Sequence, residues 1–209
     1  MHLMRISRIL VVFLFIVLFL NLVGCASNKN TPALGGLKPV ATMKISPVRM
    51  DSDTEKEYRK ALAYMKSAKF QRAERAFKKI LEKKTGVAAV HANLGLIYLK
   101  QDRLLDAEMV VKEGLSKNSM RPELYNLLGV ILRNQGRFQE AETSYLYALQ
   151  IDDGYANAHM NIGILYDLYM MEFVKARQHY QKYMAIKPEQ SASVSAWLVD
   201  MQQRSTASN

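Results

Sequence analysis

Four small residues, Ala61, Gly95, Gly129 and Gly163, stand 34 residues apart along the chain. A second series at the same spacing runs through Ala73, Ala107 and Ala141 and reaches Ala176 one residue late. A third runs through Phe77, Val111 and Tyr145 and arrives at Tyr180 with the same slip. Self-similarity at a fixed period marks a repeat array, in which each unit buries its apolar face only against its neighbours. Glycine in mid-helix costs about 1 kcal/mol relative to alanine. Three glycines in register therefore imply a packing reason, a place where two backbones come close.

Within one period the apolar residues fall at helical spacings of three and four. In the second block His91, Leu94, Gly95 and Tyr98 share one side of a helix, Asp102 sits near a turn, and Leu104, Ala107, Val111 and Gly114 share a side of a second helix. The third block repeats this with Tyr125, Leu128, Gly129 and Leu132, a turn at Gly136, then Phe138, Ala141, Tyr145 and Ala148. The fourth gives His159, Ile162, Gly163, Tyr166, Ala176 and Tyr180. Its extra residue falls around Tyr169, Met170, Met171 and Glu172, which predicts a different turn there. The first block gives Ala61, Tyr64, Phe70, Ala73, Phe77 and Ile80. After residue 188 one further helix is expected over residues 189–204, with Val194, Trp197, Leu198 and Met201 on one face. Terminal repeats need such a cap. Cap packing is the stronger role for the single tryptophan, with ligand stacking the weaker one. Residues 205–209 are expected to form a disordered tail.

The residues at this period resemble the tetratricopeptide repeat, a unit of two antiparallel helices. The resemblance implies an all-α, right-handed superhelix of about four helix-turn-helix repeats, at residues 54–87, 88–121, 122–155 and 156–188, plus a C-terminal capping helix. It also implies that the first helix of each unit lines a groove that receives a peptide or a helix. The groove positions would be Tyr58, Leu62 and Met65; Ala92, Leu96 and Leu99; Asn126, Val130 and Arg133; and Met160, Ile164 and Asp167. That set is mainly apolar and favours an amphipathic helix or a hydrophobic peptide. In some relatives asparagines at the places of Asn93 and Asn161 hold a bound peptide's backbone, but Leu127 interrupts the series here. Leu62, Leu96, Val130 and Ile164 stand where chaperone-binding relatives have asparagine, which disfavours binding of an acidic chaperone tail.

Ahead of the repeats, Arg5 and Arg8 precede an apolar run over residues 9–20. A basic start followed by a short apolar core describes a secretory signal. The run is 12 residues, short of the ~20 that a spanning helix needs. Leu22, Val23, Gly24 and Cys25 then resemble the lipobox of bacterial lipoproteins. The resemblance implies cleavage before Cys25, a diacylglycerol on its thiol and acylation of its new amino group. Two or more chains make a stable anchor where a single chain does not. The alternative is an uncleaved signal anchor. Residues 1–24 are thus expected to be a signal peptide. Residues 25–53, with Pro32, Gly35, Gly36, Pro39 and Pro47, are expected to be a flexible lipidated tether. Cys25 is the only cysteine, so no intramolecular disulfide is available.

The net charge of +10 invites a nucleic-acid reading, but its distribution weakens it. Residues 56–86 carry 11 lysines and arginines against three acids, whereas residues 122–155 are net −3. The basicity belongs to the first repeat, where a solvated outer face is the leading reading and a membrane-facing role the second. No catalytic constellation is evident. His91 and His159 occupy equivalent places in two repeats, with Tyr125 in a third, which argues for packing. His179 has no cysteine or acid at a ligand spacing, and no metal, cofactor or nucleic acid is expected. The combination of lipid anchor and repeat array resembles the pilotin lipoproteins of type IV pilus biogenesis. It implies a non-enzymatic scaffold that helps assemble an envelope complex of the pilus–secretin kind. Accessory repeat lipoproteins of TonB-type energy transduction and adaptors for peptidoglycan enzymes are the alternatives. The expected place is the periplasmic side of the bacterial outer membrane, with the inner membrane second.

Overall fold

The computed structural model describes residues 50–207, with side chains as far as residue 204. The expected signal at residues 1–24, the lipidation at Cys25 and the tether up to residue 49 lie outside the described residues. Among the described residues there are nine α-helices and no strand. They pack as consecutive pairs: α1 (Ser52–Lys66) with α2 (Phe70–Lys83), α3 (Ala88–Lys100) with α4 (Leu104–Lys117), α5 (Pro122–Asn134) with α6 (Phe138–Ile151), and α7 (Ala156–Leu168) with α8 (Phe173–Ile186). A 3-10 turn at Pro188–Gln190 leads into α9 (Ser191–Ala207), which packs on α8. The first helices also touch along the array, α5 against both α3 and α7. No described helix is long and apolar enough to cross a membrane.

Helix α1 begins at Ser52, inside the stretch expected to be tether. The Asp51 carboxylate accepts the backbone N–H of Thr54 at 2.8 Å and caps the helix, and Asp53 and Glu55 face its positive end. At the other end α9 runs to Ala207, into the stretch expected to be tail, because neither glycine nor proline interrupts residues 191–207.

The glycine series is explained by contact. A methyl at Gly129 would lie 2.5 Å from Tyr145 Cε1, one at Gly163 2.7 Å from Tyr180 Cδ1, and one at Gly95 2.6 Å from Val111 Cγ2. Each glycine of the first series thus receives a side chain of the third series from its partner helix. Ala61, Ala73, Ala107, Ala141 and Ala176 are all fully buried. Burial is most extensive in α3, α5 and α7, each packed on its own partner helix and on the preceding pair.

The turns inside the first three pairs share one device. Ala68, Asp102 and Gly136 adopt left-handed backbone, with φ of 55°, 58° and 75°. The next residue donates five places back: Lys69 N to Tyr64 O, Arg103 N to Tyr98 O and Arg137 N to Leu132 O, each 2.9 Å. These bonds form Schellman motifs that satisfy the last carbonyls of α1, α3 and α5. The fourth turn carries the extra residue. Its left-handed position moves to Met171 (φ 56°), and Glu172 N reaches Tyr166 O at 2.8 Å, one residue further. The slip is absorbed entirely in the turn, since α8 still delivers Ala176 and Tyr180 to the core.

Candidate protein-binding surface

Tyr58, Leu62 and Met65 on α1, Ala92, Leu96 and Leu99 on α3, Asn126, Val130 and Arg133 on α5, and Met160 and Ile164 on α7 are all half-buried. Each set lies one residue or one turn away from the glycine or alanine that meets the partner helix. The side chains therefore flank the buried seam rather than enter it. Because α3, α5 and α7 pack side by side, Leu96, Val130 and Ile164 recur in three neighbouring helices.

The two asparagines prove to be fasteners within this row. Asn93 Nδ2 donates to Tyr58 Oη at 2.8 Å and to the carbonyl of Ala89 at 2.8 Å. Asn161 Nδ2 donates to Asn126 Oδ1 at 2.9 Å. Both bonds span 35 residues and tie a first helix to that of the preceding pair. Both side-chain donors are thus engaged inside the chain.

Asp167 departs from its expected place. It is buried, and its carboxylate accepts Arg204 Nη2 of α9 at 2.7 Å and Tyr180 Oη at 3.2 Å. Burial, followed by the adjacent Asp167 charge, holds the Tyr180 phenol well above its ordinary pKa. The C-terminal helix closes this end of the row. Trp197 shares in the closure only partly, its ring 6.1 Å from Tyr180 and the residue 42% exposed, while Val194 and Met201 are fully buried. Nearby, Arg133 lies 5.8 Å from the Tyr169 ring centre, and both Arg133 Nη1 and Tyr145 Oη are buried without a hydrogen-bond partner.

A further series escaped the sequence reading. Glu74, Glu108 and Glu142 also stand 34 apart, each on a second helix and each bonded to the following pair. Glu74 accepts Tyr98 Oη at 3.0 Å and Arg103 Nη1 at 3.1 Å. Glu108 accepts Gln135 Nε2 at 2.9 Å, Arg137 Nη1 at 2.7 Å and Lys112 Nζ at 2.6 Å. Glu142 accepts Tyr166 Oη at 2.6 Å. Burial alone would raise the Glu108 pKa, but the bonds from Lys112, Gln135 and Arg137 outweigh it and hold the carboxyl at about 2. In the last pair the place of Arg103 and Arg137 falls to Glu172, so Glu142 has no guanidinium there. The period of the acids was available in the sequence, but a search confined to small and apolar residues passes over it.

The histidines hold loops. His91 Nε2 lies 2.7 Å from the carbonyl of Thr85, and His159 Nε2 lies 2.9 Å from that of Asp153, the same six-residue offset. His159 Nδ1 also lies 2.9 Å from His179 Nδ1. Burial and the neighbouring His159 lower the His179 pKa to about 4. Among the described residues no group of three or more histidine, cysteine or acidic side chains is placed to hold a metal ion.

The tetratricopeptide-repeat family pattern matches residues 58–113 and again residues 122–155. No significant match is found among curated proteins. Among solved structures the chain is similar to PilF of Pseudomonas aeruginosa, with a TM-score of 0.67 and 22% identity over 74% of this chain and 69% of that one. It is similar to MamA of Desulfovibrio magneticus RS-1, with a TM-score of 0.57 and 20% identity over 67% of this chain and 78% of that one. It is also similar to the first repeat domain of Spaghetti (RPAP3) bound to an HSP90 peptide, with a TM-score of 0.53 and 18% identity over 57% and 93%. At these identities the likeness is one of fold. The helix pairs, their period and the family match together make the described chain an all-α array of tetratricopeptide repeats with a C-terminal helix, a fold that commonly mediates protein–protein interaction.

Proposed function

We propose that the chain is a non-enzymatic scaffold, held by lipid on Cys25 at the periplasmic side of the bacterial outer membrane. There it helps assemble an envelope complex of the pilus–secretin kind. The observation that carries the binding role is the row of half-buried apolar side chains, Leu62, Leu96, Leu99, Val130, Met160 and Ile164, repeated along successive first helices. Such a row suits the apolar face of an amphipathic helix or a hydrophobic peptide. The residues 22–25 support the anchor, and the likeness to PilF supports the choice of complex.

The test is co-purification from membranes, comparing the wild type with Leu96→Asp/Val130→Asp. Secretin subunits should accompany the wild type and be lost from the variant, with helix content and melting checked on both. Capture of TonB-system or peptidoglycan components would move the scaffold to another complex. Equal capture by a correctly folded variant would remove the apolar row as the working surface. Separately, Cys25→Ser should release the protein from the membrane fraction, and continued tight association would instead indicate an uncleaved anchor.

A further inference from the structure

The open end of the array carries a second surface. Among the described residues no repeat precedes α1 and none covers the outer side of the first pair. A cavity of about 400 Å³ lies there, lined by Glu57, Lys60, Tyr64, Arg72, Arg75, Ala76 and Lys79. Four cations thus surround it against one carboxylate. Lys79 lies 3.7 Å from Glu57, whereas Lys60, Arg72 and Arg75 form no ion pair or side-chain hydrogen bond among the described residues. At the register place of Lys60 the later repeats have Leu94, Leu128 and Ile162, each at most 1% exposed under the preceding unit. The chain could have ended its array with any polar side chains. It has instead concentrated positive charge around a recess, with three of the four cations unpaired among the described residues.

We propose that this end of the array docks on anionic phospholipid, with a headgroup phosphate seated among Lys60, Arg72, Arg75 and Lys79. Guanidinium and ammonium groups are the usual partners of phosphate oxygens, and a cluster of four to eight basic side chains at a surface is what recognition of an anionic membrane requires. The other candidates for this face lack the charge. Residues 26–50 contain Lys29, Lys38, Lys44 and Arg49 and no acid, so the preceding segment extends the positive field and cannot neutralise it. A second copy stacked head to tail would bring the outer side of α9, where Asp200 is already bonded to Arg204 at 2.9 Å. The recess is confined to the end of one helix pair, which suits a single headgroup better than an extended acidic peptide. The proposal uses only the described repeats and does not depend on lipid at Cys25.

The test uses the full chain as Cys25→Ser, so that no attached lipid contributes, with vesicles of neutral phosphatidylcholine and of phosphatidylcholine containing phosphatidylglycerol. The apolar residues 9–20 add to binding on both vesicles, so the ratio of the two partition coefficients reads the charge effect. The wild type should prefer the anionic vesicles. Lys60→Gln/Arg72→Gln/Arg75→Gln should lower its partition into them roughly 100-fold, the order expected for three basic side chains near an anionic surface, and leave the neutral vesicles unchanged. Lys100→Gln/Lys117→Gln/Lys182→Gln, which removes the same charge elsewhere, should retain most of the preference. An equal loss in both variants would overturn the site. So would an absence of preference in the wild type, and poly-glutamate binding that only the first variant loses would then assign the face to an acidic protein partner.

Discussion

The first helix pair and the third follow the same path with opposite surroundings. In α1 only Thr54 and Ala61 are buried, whereas α5 buries Leu124, Tyr125, Leu127, Leu128, Gly129, Ile131 and Leu132. The place held by Leu128 in the middle of the array is held by exposed Lys60 at its end. A helix in this fold is therefore core or surface according to whether a preceding pair lies on it, and the sequence of each unit is written for its position in the row. Stability in such arrays is close to a sum of unit and neighbour terms, so substitutions should act according to their neighbours.

The sharpest way to break the comparison is to overfill the middle. Gly129→Leu would drive a branched side chain into the Tyr145 ring, and it should cost roughly 3 kcal/mol or more and lower the cooperative melt. An unchanged melting curve would mean that α5 and α6 do not cross there. Next in size is a matched pair. Leu128→Ala should cost roughly 2–5 kcal/mol by opening a cavity, while Lys60→Ala, two periods earlier, should stay within about 0.5 kcal/mol in denaturant titrations. Comparable costs at the two sites would dissolve the distinction between end and middle.

The register of the small residues, the helix pairs, the extra residue in the fourth block and the capping helix were all legible in the sequence. They are local consequences of one period and of helical spacing. The fate of Asp167 was not, because Arg204 comes from a helix outside the repeat and 37 residues away. Asn93 and Asn161 were visible as polar residues on the row, but only packing of neighbouring first helices shows that Tyr58 and Asn126 occupy them. Turns at Asp102 and around Met171 were legible, but the left-handed backbone of the non-glycine residues Ala68, Asp102 and Met171 was not, since it is imposed by the two helices they join.

Smaller effects test the joints between units. Glu108→Ala removes the acceptor shared by Lys112, Gln135 and Arg137 and should cost roughly 1–3 kcal/mol, whereas Glu142→Ala, which loses only the Tyr166 bond, should cost less in the same titration. The histidine pair makes the last joint sensitive to acid. Because the His179 pKa is lowered to about 4 in the fold, unfolding takes up a proton between that value and the ordinary 6.5. Its contribution is full above pH 6.5 and is lost as pH falls toward 4. His179→Gln should flatten the fall in melting temperature over that window, and an unchanged slope would place its origin elsewhere. The smallest effect belongs to the displaced turn. Met171→Gly relieves left-handed strain at an exposed site and should stabilise by up to about 1 kcal/mol, read as a rise in melting temperature.

Native-state hydrogen exchange, followed helix by helix, tests most directly the claim that neighbours on both sides make the core. The amides of α3, α5 and α6 should be the slowest to exchange, and those of α1 and α9 the fastest. Uniform protection along the array, or slowest exchange in α1, would contradict it.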